Sequence, residues 1–149
     1  MEQHIHFITL GVADIAVSRR FYQDIFGWQP QESRHNNVAF FQAGGALMFA
    51  LYPKDALAQD AGVENQSSGG FSRVALAHNV RSREEVDTLF KQFAEHGVTI
   101  TQPPQDVFWG GYCGYIADPD GFLWEICYNP FLEKSTDTTR TKPIERPSE

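Results

Sequence analysis

GGYCGYIADPDGFLWEICYNP, residues 110–130, reads as two strands about a tight turn. Tyr112–Ala117 and Phe122–Tyr128 carry the aromatic and β-branched types that suit a pleated surface. Asp118-Pro119-Asp120-Gly121 between them is a strong turn signal, because Pro presets φ and Gly accepts a positive one. Working back from this hairpin, Arg73–Val80 reads as a further strand. Ser82 with Glu85 fits a capping box. Val86, Leu89, Phe90 and Phe93 then mark the apolar stripe of a helix that stops at Gly97. Its acidic residues come early and Lys91 late, which suits the helix dipole.

The first half carries the same signals in the same order. IHFITLGV, residues 5–12, reads as a strand, and Asp14 can cap a helix directly after it. Ile15, Ser18, Phe21, Tyr22, Ile25 and Phe26 recur at helical spacing up to Gly27. Asn37–Gln42 and Ala46–Leu51 are strand-like runs about Gly44-Gly45, a hairpin turn. Val12 corresponds to Val80. The chain therefore reads as α+β, with two βαβββ units, about 4–60 and 71–131, and one weak strand in each. The linker 61–70 is polar and glycine-rich. One face of each curved mixed sheet packs on its helix, and the other faces a central cavity. Residues 132–149 have balanced charges and almost no apolar anchor, so a flexible polar tail is expected.

The 149 residues suit one domain with a real core. A net charge of -7 disfavours nucleic acid and anionic membranes as partners. No apolar run approaches the roughly 18 residues of a membrane span. The N-terminus has no basic stretch followed by an apolar one, so no secretory signal is read and a cytoplasmic location is expected. Cys113 and Cys127 form no C-x-x-C motif and no disulfide scaffold.

VADIAVSRRFYQDIFGW at 12–28 and the closing hairpin at 110–130 resemble the vicinal oxygen chelate superfamily, the fold of glyoxalase I, bleomycin-resistance proteins and extradiol dioxygenases. The resemblance covers residues 5–131 and implies a single domain over 1–131. It implies a divalent metal held by four inward His or Glu side chains, sometimes with Gln. The corresponding positions here are Phe7, Phe49, Ala75 and Glu125, with Phe49 placed by aligning residues 47–52 with 123–128. Phe and Ala offer no donor atom, and stable binding of Zn, Ni, Fe or Mn generally needs three or more protein ligands. No metal ligand set and no cofactor are therefore expected, with weak divalent binding at Glu125 left open. The loss counts against glyoxalase I and extradiol dioxygenase activity.

Strand alternation gives the inward face. It comprises Phe7 and Thr9; Leu47, Phe49 and Leu51; Arg73, Ala75 and Ala77; and Leu123, Glu125 and Cys127. His6 and His78 share the opposite parity and read as structural or exposed, not as ligands. Glu125 pairs with Arg73, or is a satisfied carboxylate that merely fills the old metal pocket, or meets a ligand's donor group, where it could act as a general base. Cys127 reads as a small buried apolar group. Ser18 has no evident base, so no hydrolytic triad is supported. The loop PPQDVFWGGY, 103–112, either covers the cavity mouth with Trp109 and Tyr112 or packs against the barrel or a dimer partner. The expected ligand-binding set is thus Phe7, Thr9, Phe49, Leu51, Arg73, Ala75, Trp109, Tyr112, Glu125 and Cys127.

Three functions remain open. The first is a metal-independent small-molecule binding protein resembling bleomycin-resistance proteins. The second is a lyase or dioxygenase-like enzyme with an unusual site centred on Glu125. The third is a structural or regulatory homodimer. The expected partners are an unidentified small molecule and a second copy of the chain.

Overall fold

The computed structural model describes residues 1–65 and 70–131. The expected tail and the middle of the linker lie outside the described residues. Two units are distinct, Met1–Gly70 and Phe71–Glu149.

The second unit has the expected order β4(Ala75–Val80), α3(Arg83–Glu95), β5(Thr99–Asp106), β6(Tyr112–Ala117) and β7(Leu123–Tyr128). Its sheet runs β4-β7-β6-β5, with β4 parallel to β7 and the other pairs antiparallel. The α3 cap forms as read: Ser82 Oγ accepts the Glu85 N–H at 3.1 Å. The Glu85 carboxylate takes the N–H of Arg81 at 2.8 Å, one residue before the cap. Val86, Phe90 and Phe93 are the buried stripe. Gly114 gives that stripe room, since a Cβ there would lie 2.5 Å from the Phe90 ring. β5 extends to Asp106, so the expected mouth loop is strand for its first residues.

The first unit differs. Its elements are β1(Phe7–Val12), α1(Ile15–Asp24), β2(Ala39–Gln42), β3(Met48–Pro53) and α2(Lys54–Ala61). The sheet has three strands in the order β1-β3-β2. The fourth strand, expected to be weak, does not form among the described residues. Residues 29–37 are polar and carry Pro30, and what ties them to β2 is a backbone bond from Gln31 N–H to Phe40 O at 2.8 Å. Asp14 caps α1 as read, accepting from the Ala16 and Val17 N–H groups. Tyr22, wholly buried, is the hub of the packing, with rings of Phe49 at 4.9 Å and Trp28 at 5.9 Å.

The unexpected element is α2. It comes after Pro53 and ends on Gly62 in the left-handed region, φ 68. It lies against β1 at Gly11, where a Cβ would come within 3.1 Å of the Lys54 Cα. Both faces of this small sheet are therefore partly covered. That explains why MFAL, residues 48–51, is apolar at every position instead of at alternate ones.

Candidate functional site

The hairpin turn sets the geometry of the site. Asp118 N–H donates to Phe122 O at 2.9 Å, and Gly121 N–H to Asp118 O at 3.0 Å. Gly121 has φ 85, the left-handed conformation that closes a three-residue loop. Asp118 Oδ1 accepts from the N–H groups of Asp120 and Phe122, which fixes the turn internally. This loop length puts Ala117 opposite Leu123, Tyr115 opposite Glu125 and Cys113 opposite Cys127. A loop one residue shorter would set Tyr115 against Trp124, on the wrong face.

Tyr115, Glu125, Cys113 and Cys127 thus share the sheet face away from α3. The Tyr115 hydroxyl donates to Glu125 Oε2. This bond, followed by partial burial, raises the Tyr115 hydroxyl from its ordinary value near 10 to about 12. The hydroxyl therefore stays protonated across the physiological range and serves as a donor. Cys113 and Cys127 are joined by a disulfide, with Cα atoms 4.1 Å apart. That spacing fits the closely spaced kind of antiparallel pair. Both cysteines are nearly inaccessible, at 3% and 1% exposure. Their sulfurs and the Glu125 carboxylate lie within 4.8 Å of one another.

The Tyr115–Glu125 bond predicts a specific titration. Tyr115 favours its neutral form in the folded protein, so the contribution is full below pH 10 and is lost as pH rises towards about 12. Ultraviolet titration of the intact protein will show this tyrosine ionising well after a tyrosine of ordinary environment. In Glu125→Gln it returns towards 10; an unchanged titration there would show that the carboxylate does not hold it.

Several expectations need correction. Glu125 does not pair with Arg73; among the described residues no ion pair joins them, and the Tyr115 hydroxyl takes that role. Arg73 is exposed before β4 with φ 61. Cys127 is not a lone small group but half of a cross-strand pair. Phe49 does not face with Phe7. It packs on the α1 side against Tyr22, and Leu51, wholly buried, shares that side. The alignment of residues 47–52 with 123–128 is one residue out. β1 and β3 pair Thr9 with Ala50, whereas β4 and β7 pair Ala77 with Glu125. Thr9 and Ala77 each lie three residues before the matching valines, so Ala50 is the counterpart of Glu125.

Tyr112 also faces its helix. Its hydroxyl donates to Asp87 on α3 at 2.6 Å, and the Arg83 guanidinium stands 4.3 Å from its ring centroid. Arg83 in turn pairs with Asp106 at 2.6 Å. Both partners are largely exposed, so water and salt screen the pair and it adds little to stability. Trp109 folds back over its own turn, where a Cβ on Gly111 would lie 2.2 Å from the ring. Phe7, Thr9 and Ala75 are exposed on β1 and β4. A polar surface cleft of about 290 Å³ in the first unit, lined by Arg19, Gln31 and His35 among others, contains none of the expected site residues.

The family's divalent ion does not fit these residues. With Ala50 in place of Phe49, the four positions are Phe7, Ala50, Ala75 and Glu125, and one alone offers a donor. What the sequence reading missed is the pair of sulfurs. Their signal was the DPDG loop, whose three-residue closure makes Cys113 face Cys127.

The model of the Glyoxalase/Bleomycin resistance protein/Dioxygenase superfamily matches residues 4–126. The chain belongs to that superfamily. A glyoxalase-related enzyme from Fulvimarina pelagi is similar over 96% of this chain and 100% of its own, with a TM-score of 0.82 and 36% identity. A glyoxalase/bleomycin resistance protein/dioxygenase from Nocardioides is similar over 86% and 84%, with a TM-score of 0.72 and 26% identity. A trivalent organoarsenical cleaving enzyme from Bacillus sp. (strain MD1) is 27% identical over 135 residues, 88% of this chain and 76% of that protein. Among the described residues of this superfamily member, no helix is long and apolar enough to cross a membrane.

Proposed function

We propose that this chain is a small-molecule-binding protein of the glyoxalase/bleomycin-resistance type that works without the superfamily's four-ligand ion. The observation that carries the reading is the Tyr115–Glu125 pair, set on a sheet face where Ala75 and Ala77 offer no donor atom. Tyr115 satisfies Oε2 and leaves Oε1 to accept an N–H or O–H from a ligand. A hydrogen bond to a charged group contributes about 1.5–3 kcal/mol. The neighbouring Ala and Leu side chains suit the apolar body of such a ligand.

Two measurements test this. Elemental analysis of the disulfide-bonded protein, dialysed against a chelator, will find far less than one divalent ion per chain. An ion retained at one per chain and lost in Glu125→Gln overturns the reading. Thermal-shift screening with small aromatic amines and phenols will give binders whose affinity drops at least about tenfold in Glu125→Gln. Binders indifferent to that change would place the site elsewhere.

The protein is also proposed to work as a homodimer. β1 and β4 are edge strands of their sheets; Phe7 on β1 is 55% exposed, and Phe71 and Val74, in the segment leading into β4, are 69% and 52% exposed. Apolar edges left open in this way favour association. Light scattering at micromolar concentration will give twice the chain mass, and a mass of 16.8 kDa refutes the dimer.

A second reading is favoured by the cysteines. Two soft sulfur donors beside a carboxylate suit a thiophilic substrate. The Bacillus relative is named for cleaving trivalent organoarsenicals. Under this reading the chain is an enzyme acting on that class. Turnover of an aryl arsenical by reduced protein, abolished in Cys113→Ala, supports it, and turnover independent of Cys113 sinks it.

A further inference from the structure

We infer that Cys113 and Cys127, once reduced, form with Glu125 a site for one thiophilic divalent ion of the zinc type, and that their disulfide closes this site. The inference goes beyond the proposed binding function, which concerns the disulfide-bonded protein.

Placement comes first. Cys127 and Glu125 are two residues apart on β7 and so share one face. The register of β6 brings Cys113 to the same face, directly opposite Cys127. All three donors stand on strands and not on loops, which holds a ligand set precisely enough for coordination. Their donor atoms are within 4.8 Å of one another. Zinc takes sulfur at about 2.3 Å and carboxylate oxygen at about 2.0–2.2 Å, so small side-chain rotations suffice to enclose it.

The chemistry agrees with the placement. Two thiolates and a carboxylate are a softer set than the His and Glu ligands of the superfamily, and they select zinc-like ions. Three protein ligands leave a fourth position open to water or a small ligand. The Tyr115 hydroxyl bonded to Glu125 Oε2 orients the carboxylate, as partners of metal ligands generally do. Burial of both cysteines shields the ion from bulk water.

The switch balances in atoms and electrons. Two molecules of a low-molecular-weight thiol reduce the Cys113–Cys127 disulfide and leave as their own disulfide, giving two thiols on the protein. The ion then displaces both thiol protons and forms two metal–sulfur bonds. Binding therefore strengthens as pH rises. A low-molecular-weight disulfide reverses the sequence: it takes two electrons and two protons to become two thiols, the protein's two sulfurs bond to each other, and the ion is released.

The test uses the full chain and cobalt(II) as a spectroscopic probe. Protein reduced with a phosphine and freed of it anaerobically will bind one cobalt ion, with sulfur-to-cobalt charge-transfer bands. Added zinc will bleach them. Disulfide-bonded protein will show no such bands. Cys113→Ser and Cys127→Ser will lose charge-transfer intensity, and Glu125→Gln, which removes the oxygen ligand but keeps both sulfurs, will keep it with weaker affinity. A measurement that needs no variant is alkylation of the reduced wild type, where zinc will slow modification of both cysteines. Absent bands in the reduced protein, equal binding by the oxidised protein, or alkylation unaffected by zinc overturns the inference. Equal binding by the oxidised protein also counts against the metal-free reading of the disulfide form, whereas absent bands or unaffected alkylation leave that reading standing, so the two claims fail separately.

Discussion

Phe49→Ala will lower stability by about 3–5 kcal/mol, the cost of emptying a buried aromatic site. Phe49 is 2% exposed and stands in a cluster of rings, with Tyr22 at 4.9 Å, Trp28 at 5.6 Å and Phe41 at 6.3 Å. Truncation removes both its transfer free energy and its contacts with three neighbours that cannot all close in. Phe7 is the natural control. It lies on the other face of the sheet at 55% exposure, and Phe7→Ala will cost less than about 1 kcal/mol. Urea unfolding followed by tryptophan fluorescence reads both values. Equal, small losses would restore Phe49 to the open face and remove the register on which Ala50 is matched to Glu125.

Reduction of the Cys113–Cys127 disulfide will cost about 3 kcal/mol. The bond closes a loop across a sequence separation of 14, and a loop near 15 residues restricts the unfolded chain by roughly that amount. The unfolding midpoint will therefore fall when a reductant is present. The double variant Cys113→Ala, Cys127→Ala will show the lower stability with or without reductant. A wild-type midpoint indifferent to reductant would show that the disulfide does not form or does not constrain the chain. Zinc added to the reduced protein will recover stability, by about 2.7 kcal/mol at a hundredfold excess over its Kd.

These two predictions rest on different kinds of legibility. The closing hairpin was readable because its signals are local. DPDG prescribes a turn through the φ of Pro and Gly, and the flanking residues have strand propensity. The helix caps at Asp14 and Ser82 were readable for the same reason, since each side chain bonds a backbone group within three residues. Glu125 stood out because it occupies the superfamily's position at the end of that hairpin. β3 was not readable in the same way. Residues 48–51 are apolar without alternation, so the run itself does not say which side chain faces α1. The answer came from pairing with β1, where Leu10 meets Leu51 and Thr9 meets Ala50.

α2 was hidden by its composition. KDALAQDA, residues 54–61, has a weak apolar face and merges with the polar linker after it. Its place against Gly11 is a tertiary matter, because only contact with β1 shows why that position carries no side chain.

By itself, the sequence determined the α+β class, the order of elements in the second unit, the closing turn and the helix caps. Each of these comes from residue type or from bonds spanning a few residues. The tertiary structure alone decided the face of Phe49, the partner of Glu125 and the meeting of Cys113 with Cys127. Those depend on strand register, and a shift of one residue reverses every side chain on a strand.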